Sequence, residues 1–196
     1  MMAAQDPYGA LEKVKEFRNM KTIVIGEVNT GKTAYLGQIL DRFLEGGETE
    51  ITVIDMAPES VKGIGGKMSV RRIDSIRYYT EQIVAPRLMG RSVDEIENLA
   101  ENNAKLIEGI FVKYLKAPGK VLFINDVSIY LQRGKIDKLL LLLNSTPTVI
   151  MNGYYGVSLG GGKLGERERQ NMEALQKRCD KVIKLPLSSF QPPMNL

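Results

Sequence analysis

Eight consecutive residues, Gly26-Glu27-Val28-Asn29-Thr30-Gly31-Lys32-Thr33, place two glycines, a lysine and a hydroxyl at the spacing G-x-x-x-x-G-K-[ST]. The residue types say what such a stretch could do. Glycines let a backbone wrap closely round an anion with successive N–H groups turned inward, and a helix that starts where the loop ends adds the positive end of its dipole. A lysine at that place reaches the outer phosphates of a polyphosphate, and the hydroxyl after it is a ligand for Mg²⁺. This chemistry needs a strand before the loop and a helix after it. Thr22-Ile23-Val24-Ile25 reads as a short buried strand, and Tyr35, Leu36, Ile39, Leu40 and Phe43 recur at helical spacing, so the loop falls at a strand-to-helix turn.

Two carboxylates are candidates to work beside it. Asp55 closes the apolar run Ile51-Thr52-Val53-Ile54, and Val121-Leu122-Phe123-Ile124 is followed by Asn125 and Asp126. Ligands of open α/β sheets gather at the carboxyl ends of the strands, which is where both aspartates would lie. The chain has no histidine and one cysteine, Cys179, so the usual zinc sites, histidine-dependent triads and an internal disulfide are excluded. What remains is chemistry by carboxylates, lysine, arginine, hydroxyls and a hard metal ion.

The remaining elements follow from periodicity and punctuation. The lead-in 1–20 carries Leu11, Val14 and Phe17 on one face of an amphipathic helix. Met56 to Met68 is broken by Pro58, Gly63, Gly65 and Gly66, and Arg77-Tyr78-Tyr79-Thr80 and Ile83-Val84-Ala85 read as short strands or a lid. Ser92 with Glu95 three residues on is a capping box, and it opens a long helix whose apolar stripe runs to about Leu115. Lys135 to Leu143 is a buried helix, Thr148-Val149-Ile150-Met151 a fourth strand, and Gly160-Gly161-Gly162-Lys163 a loop. Met172, Leu175 and Cys179 mark a last helix, and Lys181 to Leu185 a fifth strand before Pro186. Strands alternating with helices give an α/β fold in three layers, with a mostly parallel sheet of about five strands. The expected organisation is a lead-in and helix over 1–20, one domain over 21–187, and a tail over 188–196.

At 196 residues, 43% hydrophobic and 26% charged, the chain has material for one well-buried core. The longest apolar run, Leu139 to Leu143, is far short of the roughly 20 residues of a membrane span. The N-terminus shows no signal-peptide pattern, so the expectation is a cytoplasmic protein that does not engage a membrane. Net charge is +4. From Ser60 to Arg91 seven basic residues (Lys62, Lys67, Arg71, Arg72, Arg77, Arg87, Arg91) face Asp74 and Glu81, a local excess that points to a nucleic acid or another polyanion as partner of the region Lys62–Arg91.

The loop in its strand-to-helix setting resembles the Walker A motif of the P-loop nucleoside triphosphatases. The resemblance implies a nucleotide held by Gly26 to Ala34: Gly26, Glu27, Val28, Asn29, Thr30, Gly31, Lys32, Thr33 and Ala34. Four apolar residues ahead of Asp126 are similar to the superfamily's Walker B pattern, which implies that Asp126 joins Thr33 in holding Mg²⁺. Guanine specificity is disfavoured, because Asp126 is followed by Val127-Ser128-Ile129 and Lys135-Ile136-Asp137 precedes a strand instead of following one. ATP is the expected nucleotide. Val127 stands where helicase-type ATPases usually place a glutamate base. A fainter resemblance, carried by Ile54-Asp55, Pro58-Glu59-Ser60, Gly65-Gly66, Ser69 and Asn125, is to the RNA 5′-hydroxyl polynucleotide kinases, and it implies that Asp55 binds metal or orients the nucleophile. Glu59 and Asp126 depart from that family's pattern. The expected catalytic set is Lys32, Asp55 and Asp126, with Thr33, Asp126 and Asp55 on the metal and Arg87, Arg91 or Lys163 as cations of a closing lid. Three functions fit: a Mg²⁺-dependent ATPase, an ATP-dependent kinase acting on a polynucleotide or small hydroxyl acceptor, and a nucleotide-gated switch with negligible turnover.

Overall fold

The computed structural model describes residues 14–61 and 63–186. Six strands form one sheet: β1 (Lys21–Gly26), β2 (Ile51–Asp55), β3 (Arg77–Thr80), β4 (Val121–Asn125), β5 (Thr148–Tyr154) and β6 (Lys181–Lys184). Their order is β3-β2-β4-β5-β1-β6 and every pairing is parallel. The α/β class expected from the sequence holds, with six strands in place of about five and no antiparallel member. The added strand is Arg77–Thr80 at the edge; Ile83-Val84-Ala85 forms no strand and leads instead into a short helix.

Parallel strands covered on both faces should read as unbroken apolar runs, and β2, β4 and β5 are buried at every position. Edge strand β6 instead alternates half-buried and exposed. Successive β4 residues feed opposite layers: Val121 and Phe123 pack with one core cluster, Leu122 and Ile124 with the other. The first cluster is covered by α1 (Lys32–Glu45), through Leu36, Ile39, Leu40 and Phe43, and by Val14 and Phe17. The second lies under α3 (Val93–Leu115), α4 (Val127–Leu131), α5 (Ile136–Asn144) and α6 (Gly162–Gln176). The short helix α2 (Pro86–Met89) precedes α3.

Of the lead-in helix, Leu11 lies outside the described residues. Val14 and Phe17 are buried as their spacing required, but the chain turns over 16–19 instead of staying helical into β1. At α3, Ser92 accepts from the Glu95 N–H at 3.2 Å, while the Glu95 carboxylate reaches past the cap to the Arg91 N–H at 2.8 Å, a capping box displaced by one residue. Among the described residues, no helix is long and apolar enough to cross a membrane.

Register brings the functional residues to one edge. Asp55 pairs with Asn125 across β2 and β4, and Gly26 with Tyr154 across β1 and β5, so the loop and both strand ends open on the same side of the sheet. Phe123 is central to this packing, fully buried and edge-on to Phe43 of α1 with ring centroids 5.7 Å apart. Phe123→Ala should cost about 3–5 kcal/mol in urea unfolding. A loss below about 1 kcal/mol would show that the α1 layer does not depend on that contact.

Candidate functional site

The loop between β1 and α1 is held by its own side chains. Gly31 has φ +80° and Asn29 φ +57°, left-handed conformations that turn the backbone back on itself before the helix. The Thr30 hydroxyl donates to the Glu27 carbonyl at 2.9 Å, and the Lys32 ammonium donates to the same carbonyl. Burial pushes the Lys32 pKa down, with Asp126 and Glu27 pulling it partly back. Val28, Asn29, Gly31, Lys32, Thr33 and Ala34 line a cavity of about 430 Å³, a volume usual for a bound small molecule. Asp126, Asn152 and Tyr154 line it from the sheet edge, and Ile64 and Gly65 from the β2–β3 connection.

Thr33 and the two aspartates are linked through amides that the sequence reading did not single out for this role. The Thr33 hydroxyl donates to Asn125 Oδ1 at 3.1 Å, and Asn125 Nδ2 donates to Asp55 Oδ1 at 2.9 Å. Asn152 Nδ2 also donates to Asn125 Oδ1, at 3.0 Å, while Asn152 Oδ1 accepts from the Asp126 N–H at 2.7 Å. The signal available in the sequence was a polar residue at the end of each apolar strand.

The aspartates therefore stand in different positions. Asp55 is fully buried, and both its oxygens are occupied: Oδ1 by the Ala57 N–H and Asn125 Nδ2, Oδ2 by the Met68 N–H and the Tyr78 hydroxyl. Four donors fill a carboxylate, so Asp55 has no lone pair left for a metal ion or a nucleophile. It organises the site's structure, in place of the metal and catalytic role expected for it. Tyr78 is held protonated, by burial first and then by this bond to Asp55.

Asp126 sits one residue beyond the strand, in the left-handed conformation at φ +59°, and it lines the cavity opposite the loop. Its carboxylate accepts from the Ser128 hydroxyl. Burial raises its pKa, and the Ser128 bond and Lys32 offset part of the rise. The residue touching Thr33 is thus Asn125, and Asp126 occupies the next position, facing the cavity with one bonded oxygen. The Thr33 hydroxyl and the Asp126 carboxylate are hard oxygen donors on one cavity, a set that suits Mg²⁺ together with phosphate oxygens and water.

Two contacts tie this cavity to the β5–α6 loop. The Glu27 carboxylate accepts from the backbone N–H groups of Val157 and Ser158. Burial works to raise the Glu27 pKa, but these bonds outweigh it and leave it lowered. Gly156 makes the approach feasible, since a Cβ there would stand 2.2 Å from the Glu27 carboxylate carbon. Farther out, Arg87 of α2 forms a buried ion pair with Glu168 of α6 at 2.6 Å, and Gln132 Nε2 donates to the same carboxylate at 2.7 Å.

Arg87 is therefore committed to Glu168, a correction to its reading as a lid cation. Arg91 and Lys163 are exposed. The basic stretch is dispersed in the same way. Arg77 donates to the Ala117 carbonyl, and Lys67 bonds Thr80 and the Glu81 carbonyl. Arg71 stands 4.0 Å from Asp41, and Lys62 lies outside the described residues.

No family model matches the sequence, and no curated protein matches it. Among solved structures, the flagellar accessory protein FlaH from Methanocaldococcus jannaschii aligns over 96% of this chain and 82% of that one, with TM-score 0.50 and 9% identity. A Pif1 helicase from Candida albicans aligns over 94% of this chain at 13% identity and TM-score 0.40, and the chain spans 39% of that helicase's length. With the layered parallel sheet and the glycine-lysine loop at its strand-to-helix turn, the chain has the fold of the P-loop nucleoside triphosphatases.

Two predictions follow from the buried carboxylates. Asp55→Asn turns an amide toward groups that are all donors and should cost about 2–3 kcal/mol in urea unfolding, whereas a change under about 0.5 kcal/mol would contradict the four-donor arrangement. Burial raises Glu168 to about 7, with Arg87 and Gln132 opposing the shift. A carboxylate raised in the folded state binds its proton more tightly there. Its contribution to stability is complete below the unfolded pKa near 4.5 and is lost as pH rises towards 7, with a slope of at most about 1.4 kcal/mol per pH unit. Glu168→Gln should flatten denaturation midpoints between about pH 4.5 and 7, and an unchanged slope would place the titrating group elsewhere.

Proposed function

We propose that the chain binds ATP with Mg²⁺ in the loop cavity and activates the γ-phosphoryl group for transfer to an oxygen nucleophile, as an ATPase or a kinase. The observation that carries this reading is the convergence of Lys32, Thr33 and Asp126 on one cavity of about 430 Å³ that Val28, Asn29, Gly31 and Ala34 also line. The loop amides and the N-terminal end of α1 favour the phosphates electrostatically, and Lys32 lies where a β- or γ-phosphate would draw its ammonium from the Glu27 carbonyl. Thr33 and Asp126 would hold Mg²⁺, which when bound neutralises charge on the phosphates. Phosphoryl transfer relies on positioning and charge neutralisation, so a histidine-free site is no obstacle.

Asp126 has a second use. It lines the cavity in the position after the strand end, where a proton acceptor for water or a hydroxyl is useful. The absence of a glutamate at Val127 then matters less, because Asn125 takes the Thr33 contact and Asp126 the place beyond it. Cytoplasmic location and a polyanionic partner at Arg71, Arg72 and Arg91 belong to the same proposal and are supported by composition and by exposure of these three side chains.

The test is nucleotide affinity and turnover measured separately. Parent protein should bind a fluorescent ATP analogue in a Mg²⁺-dependent way and release or transfer phosphate. Lys32→Ala should lower turnover at least 100-fold. Asp126→Asn should retain nucleotide affinity within about tenfold while losing at least 100-fold in turnover. Binding with no turnover above background would favour the nucleotide-gated switch, and no Mg²⁺-dependent binding would sink the nucleotide reading altogether.

A further inference from the structure

The β5–α6 loop meets the loop cavity at Leu159, which also borders a smaller neighbouring cavity. The loop leaves the sheet at Tyr155, whose N–H donates to the Gly26 carbonyl at 3.1 Å. Side chains hold the three N–H groups at 157–159. Those of Val157 and Ser158 donate to the Glu27 carboxylate, and that of Leu159 donates to the Tyr154 hydroxyl at 3.0 Å. Packing adds little to these bonds, since Val157 is 77% exposed and Ser158 and Gly160 are exposed as well. Gly160 has φ +75° and nothing within 4 Å of where a Cβ would stand, so the chain can turn there without obstruction. Few buried contacts and exposed hydrogen bonds are the marks of a segment that opens locally.

Glu27 joins the two loops through separate groups. Its carbonyl takes the Thr30 hydroxyl and the Lys32 ammonium, and its carboxylate takes the β5–α6 loop. Glu27 lines a separate cavity of about 320 Å³ with Gly156, Val157 and Lys184, while Leu159 lines the loop cavity. The carboxylate therefore acts on the loop cavity through the backbone that carries Leu159. Gly156 sets the clearance, because a Cβ there would stand 2.2 Å from the Glu27 carboxylate carbon and 2.3 Å from Oε1. The carboxylate is the free end of a flexible side chain, so it would give way and release the two N–H groups.

We propose that Glu27 is a positioning residue that clasps the β5–α6 loop over the loop cavity, and that opening of this clasp sets the rate at which nucleotide enters and leaves. The inference rests on the reading of that cavity as the ATP site. The clasp is made between two segments of the protein and not to the nucleotide. It strengthens the closed form equally with and without ligand, so breaking it speeds entry and exit by the same factor. That signature separates a gate from a direct contact to the ligand, which changes affinity.

The experiment uses the full chain and a fluorescent ATP analogue with Mg²⁺, mixed by stopped flow, together with amide hydrogen exchange read by NMR. Gly156→Ala should speed exchange at Val157 and Ser158 about tenfold and leave Met151, inside β5, unmoved. Association and dissociation rate constants for the analogue should both rise about tenfold, with their ratio kept within about threefold. Glu27→Ala should also raise both rate constants, and Gly156→Ala should add nothing in its background, since the clash needs the carboxylate. Val157 and Ser158 amides that exchange as fast in the parent as in Gly156→Ala show that there is no clasp and overturn the proposal. Released amides with unchanged rate constants overturn the gate and leave a merely structural bond. A rise in dissociation alone, with affinity lost in proportion, overturns it as well and makes Glu27 a nucleotide contact. Lost protection at Met151 marks a misfolded Gly156→Ala, and the rate constants of Glu27→Ala then decide. Absence of Mg²⁺-dependent binding in the parent removes the nucleotide reading and the gate with it.

Discussion

The site depends on one line of hydrogen bonds across the carboxyl edge of the sheet, from Thr33 through Asn125 to Asp55. Apolar strands fix a sheet's layers but do not specify how a loop sits on its end. Here each polar group at the edge has to be paired because it is buried, and the pairing sets the loop against the strands. Asn125 uses its whole capacity: Nδ2 gives to Asp55 and to the Gly66 carbonyl, and Oδ1 takes from Thr33 and Asn152. A carboxylate at 125 would accept from Thr33 equally well, but it would set a second negative charge against Asp55. An amide donates to one neighbour and accepts from the other two. With Asp55 already carrying the buried charge, the strand ends in asparagine and the cavity's aspartate falls to the next residue.

The loop and the layers were legible because their signals are local. Eight contiguous residues specify the glycine-lysine turn between β1 and α1, and runs such as Val121 to Ile124 announce doubly covered strands without reference to the rest of the chain. What the sequence concealed depends on partners far along it. Asp55 looks like a free carboxylate until Met68, Tyr78 and Asn125 bring donors to it. Arg87 looks like a surface cation until α6 presents Glu168, 81 positions away. Strand β3 escaped a firm assignment for a different reason. An edge strand buried on neither side completely has no continuous apolar run, and Arg77-Tyr78-Tyr79-Thr80 fits a lid as well as a strand. The displacement from Asp126 to Asn125 turned on a left-handed backbone at Asp126, which spacing alone does not reveal.

Local charge excess was a poorer guide than local apolarity for the same physical reason. Hydrophobic residues that cluster in sequence mostly stay together in space, since burial is shared. Basic residues diverge to separate partners. Between Lys67 and Arg91 the described cations go to a hydroxyl, two carbonyls, an aspartate, a buried glutamate and solvent. The excess of positive charge persists as a sum, with Arg71, Arg72 and Arg91 left exposed. Glu27 shows the converse case, a single acidic side chain of the β1–α1 loop that gains importance because two backbone N–H groups of the β5–α6 loop converge on it.

The same reasoning shows what an incoming triphosphate would do to the groups that face it. Lys32 and Asp126 oppose each other across the cavity, the first with its pKa lowered and the second with its pKa raised, burial being the larger cause in both. Each is displaced toward its neutral form, and their mutual attraction recovers only part of the cost. Phosphate brings negative charge between them. For Lys32 that charge supplies the missing counter-ion and restores the protonated form. For Asp126 it adds a like charge beside an already reluctant carboxylate and strengthens its hold on a proton. Mg²⁺ acts on Asp126 in the opposite sense, favouring the ionised form. Asp126 thus stands between two opposing influences, phosphate favouring its neutral form and the metal its ionised one.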